Sequence, residues 1–79
     1  MRYAVVIEKA EANYSAYVPD VPGCVSAGKT VEETMANIRE ALIFHFDGMR
    51  EDGQSLPDPQ TLVDYVDVPV GQSATIEAA

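Results

Sequence analysis

The 79-residue chain has one cysteine, one histidine, no tryptophan and only five basic residues. One cysteine cannot close an internal disulfide, and one cysteine with one histidine falls short of a zinc site's usual complement. Thirteen acids against five bases give a net charge of −8. That sign is repelled by phosphate backbones, so nonspecific nucleic-acid binding is disfavoured, while a basic partner is attracted. The five cations, Arg2, Lys9, Lys29, Arg39 and Arg50, are dispersed along the chain. No apolar run approaches the ~20 residues that span a bilayer, so no membrane role is expected. Met1 to Ile7 runs straight into charged residues with no small-residue cleavage site, so no signal peptide is read and the expected compartment is the cytoplasm.

What the chain does have is enough apolar material for a core. Apolar residues make up 47% of it and charged ones 23%, which excludes a disordered acidic chain. The length fits one domain over residues 1–79, with 70–79 as a tail expected to fray. A domain this small buries only ~60–65% of its unfolded surface, so self-association into a homodimer or homotetramer is a natural route to further stability.

Residues 2–8 alternate as a strand, with Tyr3, Val5 and Ile7 on one face. A five-residue connection, Lys9 to Asn13, leads to a second strand, Tyr14 to Val18, which Pro19 ends. Pro19-Asp20-Val21-Pro22-Gly23 reads as a stiff turn, and Cys24 to Ala27 as a short third strand. Thr30-Val31-Glu32-Glu33 has the form of a capping box, with Glu33 expected to reach back to the amide of Thr30. The helix it opens is expected to run to Asp52, with Gly53 as its stop. Val31, Met35, Ile38, Leu42, Phe46 and Met49 form one apolar stripe at ~100° per residue, flanked by Thr34, Ala41 and His45. Gly48 inside this helix suggests a close contact or a bend. After a loop holding Pro57 and Pro59, Leu62 to Val68 alternates as a fourth strand. The order β-β-β-α-β predicts an α+β fold, a two-layer sandwich of one sheet and one helix.

The stretch from Tyr14 to Thr30 carries a tyrosine-bearing strand, the turn Pro19-Asp20-Val21-Pro22-Gly23-Cys24 and a short strand ending in Gly28-Lys29-Thr30. With Val31 to Ala41, His45, Gly48, Arg50 to Gly53 and the pair Pro57 and Pro59, it resembles the HicB-like antitoxins over about residues 3–68. The resemblance implies a degraded ribonuclease H-like fold in which strand four lies parallel to strand one. It also implies a role in a type II toxin–antitoxin system: binding a HicA-like, basic, mRNA-cleaving toxin and occluding its active site. Many such antitoxins add a basic C-terminal DNA-binding segment. Here Glu77 is the only charged residue after Asp67, so no DNA binding is expected of this sequence. The alternative is a stand-alone homo-oligomeric interaction or regulatory module of the same fold.

No cofactor and no catalytic residue is expected. A two-metal nuclease needs clustered carboxylates on adjacent strands. Glu8, Asp64 and Asp67 raise that question, but the first strand offers Val5 and Ile7 where a central aspartate is needed. Cys24 and His45 lack a third group to orient them, and read as a buried thiol and a packed imidazole. The candidate contact residues for a partner or a second copy are Tyr17, Asp20, Glu40, Ile43, Phe44, Asp47 and Glu51. Asp20 either meets a basic partner or holds its own turn. Ile43 and Phe44 lie about 80° and 180° around the helix from Met35, among Glu40, Asp47 and Glu51. Such groups are a protein contact with acidic steering, or scattered surface hydrophobes on a solvated face.

Overall fold

A computed structural model describes residues 1–71. Three strands, β1 (Val6–Lys9), β2 (Tyr14–Tyr17) and β3 (Val25–Gly28), form an antiparallel sheet in the order β1-β2-β3. One helix, α1 (Val31–Glu51), covers one face of it. The three-stranded meander and the single helix follow the expected order.

Register explains why β1 starts later than the alternation suggests. Val6 sits opposite Tyr17 and Ile7 opposite Ala16. Continuing that register would set Ala4 against Pro19, which has no N–H to donate. Residues 2–5 therefore find no ladder on the β2 side. The inner face nevertheless continues, since Tyr3, Val5 and Ile7 all pack against the core.

The turn between β2 and β3 consists of two successive hydrogen-bonded turns. The amide of Val21 donates to the carbonyl of Val18 at 3.0 Å, and that of Cys24 to Val21 at 3.1 Å. Each has proline in its second position, and Gly23 supplies the positive φ of +86° that the second one needs. This places Val18, Val21 and Cys24 inward, where they join Ala16 and Ile38 as the buried apolar centre.

Both helix ends match their sequence signals, with one change. The Thr30 hydroxyl accepts from the amide of Glu33 at 3.0 Å, as a capping box requires. The Glu33 carboxylate overshoots Thr30 and accepts instead from the amide of Lys29 at 2.7 Å. At the other end, Gly53 donates to Arg50 and Gln54 to Met49, with φ of +72° at Gly53. This is the paired closure of a Schellman motif, and it stops α1 at Glu51.

The helix axis is rotated relative to its apolar stripe. Thr34 and Ile38 are its fully buried residues, whereas Met35 and Val31 are exposed. On the wheel, Ile38 lies about 60° from Met35 and Thr34 about 100°, both to the same side. The cause is at β3. A Cβ on Gly28 would lie 2.7 Å from the Thr34 amide nitrogen and 2.8 Å from its hydroxyl. Only a bare backbone lets the first helical turn approach this closely. The Thr34 hydroxyl, fully enclosed, is satisfied by donating to the Thr30 carbonyl at 2.7 Å. Asn37 adds a bond from its Nδ2 to the carbonyl of Ala27 at 2.8 Å.

The fourth strand is the expectation that fails. No strand follows α1 among the described residues. Leu62 to Val68 forms no ladder, and Leu62, Tyr65 and Val66 are 92%, 90% and 83% exposed. A strand needs a paired edge to be stable, and this segment pairs with none. The expected tail falls mostly on residues 72–79, outside the described residues.

Gly48 makes no close contact, since nothing lies within 4 Å of a Cβ placed there. Two glycine substitutions should therefore act oppositely in urea unfolding. Gly28→Ala loses at least about 2 kcal/mol through overpacking against Thr34. Gly48→Ala gains about 0.5–1 kcal/mol from helix propensity.

Candidate protein-interaction site

Three surfaces gather the candidate residues. The first is the outer face of α1. Spacings of three and four residues place Glu33, Asn37, Glu40, Phe44, Asp47 and Glu51 in one row along the helix. Phe44 stands at its centre, 81% exposed, with acids one turn away on both sides. Asp47 pairs with Arg50 at 3.0 Å, but both side chains remain open to water, so the pair is weak. Ile43 is exposed beside this row. Gly48 leaves the helix bare next to Phe44. A phenyl ring ringed by carboxylates suits a partner that brings an apolar pocket within a basic surface.

The second surface is the uncovered face of the sheet. Tyr17 pairs with Val6 on one side and Val25 on the other, so the three form a row across all three strands. Tyr17 and Val25 are exposed. Register, which sequence alone leaves open, thus decides between the tyrosines: Tyr17 faces out, while Tyr14 shares the inner face with Ala16 and Val18.

The third is a junction built by Asp20. Its carboxylate accepts three bonds from a segment forty residues away. The amides of Gln60 and Thr61 donate to Oδ2 at 3.0 and 2.9 Å, and the Thr61 hydroxyl donates to Oδ1 at 2.8 Å. Asp20 therefore latches the chain after α1 to the β2–β3 turn, a use that neither sequence reading contained. The Thr61 amide is the main reason that its carboxyl is held below the usual aspartate value. The Tyr3 hydroxyl donates to the carbonyl of Pro57 and fixes the same connection at a second point. Local sequence carries no signal for this latch, because its partners are remote in the chain.

Cys24 is buried, and burial raises its thiol above the usual value, which disfavours the nucleophilic thiolate. Among the described residues, no group of three histidine, cysteine, aspartate or glutamate side chains is arranged to hold a metal ion. No helix among them is long and apolar enough to cross a membrane.

These features define a small α+β domain with an acidic helix face. Residues 3–77 match the HicB-like antitoxin of bacterial toxin–antitoxin systems, and the chain belongs to that family. It is 46% identical over 69 residues to a 14.9 kDa protein from the rep-hol intergenic region of Haemophilus phage HP1, covering 87% of this chain and 52% of the relative. It is 35% identical over 77 residues to antitoxin HicB 2 of Photorhabdus laumondii, covering 96% of this chain and 55% of that protein. The chain thus spans about half the length of these relatives. Among solved structures, it resembles the N-terminal domain of Burkholderia pseudomallei antitoxin HicB with a TM-score of 0.68 and 31% identity. That match covers 77% of this chain and 73% of the other. It also resembles a chain of the HicA3 and HicB3 toxin–antitoxin complex, with a TM-score of 0.65, 32% identity and coverage of 75% and 70%.

The latch has a measurable signature. A lowered carboxylate contributes stability that is present above the ordinary aspartate value of about 3.9 and is lost as pH falls through the folded value. In an NMR titration, the Gln60 and Thr61 amide shifts should move together with a midpoint below about 3.9. Asp20→Ala should abolish that titration and release residues 60 and 61. An unchanged pair of shifts in that variant would refute the latch. In the folded protein, Cys24 should react with an aromatic disulfide reagent far more slowly than after unfolding in urea.

Proposed function

We propose that this chain is an antitoxin that neutralises a HicA-like toxin by stoichiometric binding, covering the toxin's active site and performing no chemistry itself. The observation that carries the reading is the exposed Phe44 within the row of Glu40, Asp47 and Glu51. An mRNA-cleaving toxin must hold phosphates, so its active surface is basic. An acidic surface competes for the same cations and repels the RNA backbone. Phe44 supplies an anchor of the kind that dominates interface energy, and the acids supply orientation and a fast approach. The −8 charge of the whole chain reinforces that approach. Family membership and the likeness to a chain of the solved HicA3 and HicB3 toxin–antitoxin complex support the same reading. It requires neither DNA binding nor a cofactor.

Calorimetric titration of a HicA-like toxin tests it, together with an RNA-cleavage assay. The wild-type chain should bind near one to one and suppress cleavage, adding none of its own. Phe44→Ala should weaken binding by about 30-fold or more, which is about 2 kcal/mol. The double variant Glu40→Lys, Asp47→Lys should slow association and reduce its salt dependence. Undiminished binding by Phe44→Ala would move the contact to another surface. Absence of any binding would refute the antitoxin reading for this chain.

A further inference from the structure

Gly48 has no use within the chain that explains it. A glycine inside a helix costs conformational entropy, so it is kept where a positive φ, a close contact or a helix stop requires it. None of these applies to Gly48. The positive φ angles belong to Gly23 and Gly53. Gly53 closes the helix, which runs on past Gly48 to Glu51. Nothing lies within 4 Å of a Cβ built at Gly48, and the residue is exposed. At Gly28 the missing side chain admits Thr34. Gly48 offers the same bare backbone and has no occupant.

The gap lies between an aromatic flank and an acidic one. Nearest neighbours on a helix surface stand three and four positions away. Toward the N-terminus these are Phe44 and His45, and toward the C-terminus Glu51 and Asp52. From Phe44 to Glu51 the helix rises ~10 Å, so ring, gap and carboxylates follow one another along one row. Phe44 is 81% exposed, and Glu51 and Asp52 are open to water. The two acids also stand at the unfavourable end of the helix. Its C-terminus carries partial negative charge and favours cations. Arg50, the basic residue of the last turn, pairs with Asp47, so among the described residues no cation pairs with Glu51 or Asp52. A glycine and two carboxylates thus gather where each weakens the helix. The gap suits a group that is slender, positively charged and supplied from outside.

We propose that the gap over Gly48 receives an arginine side chain of the basic toxin, its stem laid across the bare backbone against Phe44 and its guanidinium held by Glu51 and Asp52. This assignment rests on the antitoxin reading and names the group on the partner that meets this face. Arginine fits better than lysine. Its planar fork binds carboxylates through paired N–H donors, and its weaker hydration lets it leave water more readily. The helix C-terminus adds to the attraction. A Cβ at Gly48 would stand between the stem and the backbone. Gly48 is therefore a specificity residue: it decides which side chain of a partner can follow Phe44 onto the helix.

The test sets stability against binding. Gly48→Ala and Gly48→Met both replace glycine by good helix formers, so both should raise the urea midpoint of the free chain. Affinity for the HicA-like toxin in calorimetric titration should fall all the same, by at least threefold for alanine and at least thirtyfold for methionine. Should the methionine variant not fold, the alanine variant decides. The double variant Glu51→Gln, Asp52→Asn should likewise raise the midpoint and lower the affinity at least tenfold. Replacing the toxin's arginines by alanine, one at a time, should find one whose loss reduces the Gly48→Met penalty at least tenfold. A lowered midpoint in both Gly48 variants would show a role in the fold and overturn the proposal. So would an affinity unchanged by Gly48→Met, or a penalty that no toxin arginine relieves. If Phe44→Ala still weakens binding in those cases, the antitoxin reading stands and only the arginine assignment falls. No binding by the wild-type chain would overturn both.

Discussion

The contact between Gly28 and Thr34 sets the position of everything else in this domain. A strand that ends without a side chain lets the helix begin directly upon it, at a distance no Cβ would permit. Thr34 can occupy that spot because its hydroxyl returns to the Thr30 carbonyl and leaves no buried donor unpaired. Once the first turn is fixed there, Ile38 one turn on meets Val18, Val21 and Cys24, and the centre of the core is complete. The helix then lies over β3 and β2, not over the middle of a wider sheet. The apolar residues on its other flank, Met35 and Leu42, line a groove with Tyr3 and Val5, which precede β1.

The turn between β2 and β3 carries a second constraint, of a different kind. Prolines 19 and 22 and the left-handed Gly23 shape it without help from the rest of the chain. That rigidity makes Asp20 useful as a fixed acceptor. Three donors from Gln60 and Thr61 converge on one carboxylate, which is a geometry a mobile turn would not hold. The connection after α1 is thereby tied to the sheet although it contains no regular structure. Tyr3 contributes from the segment before β1, through its hydroxyl to Pro57 and its ring edge to Phe46, with ring centroids 5.3 Å apart.

Local chemistry was legible in the sequence where it acts within a few residues. Thr30 and Gly53 mark the helix ends because caps are satisfied by neighbours in the chain. Proline and glycine mark the β2–β3 turn for the same reason. Alternation placed Tyr3, Val5, Ile7 and Ala16 on the core side. Three features were hidden. The rotation of α1 depends on Gly28 meeting Thr34, and periodicity alone centres the apolar stripe near Leu42, about 40° from Ile38. The Asp20 latch joins residues forty apart, which no window reads. The fourth strand shows the limit most clearly. Its alternation is genuine, but alternation specifies what a segment can bury and not which edge it pairs with. Of the site residues, Phe44 was placed outward by helical angle alone, whereas Tyr17 needed the register with Val6 and Val25.

The helix divides its labour by angle. Met35 and Phe44 lie about 180° apart on the wheel, and they separate two chemistries. The Met35 side is apolar, continuous with Tyr3 and Val5, and rimmed by Arg39. The Phe44 side is acidic, with one exposed ring. Burying the first side removes apolar surface from water and tolerates little charge. Burying the second uses charge of one sign and would repel a second copy of itself, because each row would face like carboxylates. The acidic row therefore opposes pairing with its own like charge and suits a basic surface. Because the two faces are opposite, occupation of one leaves the other accessible.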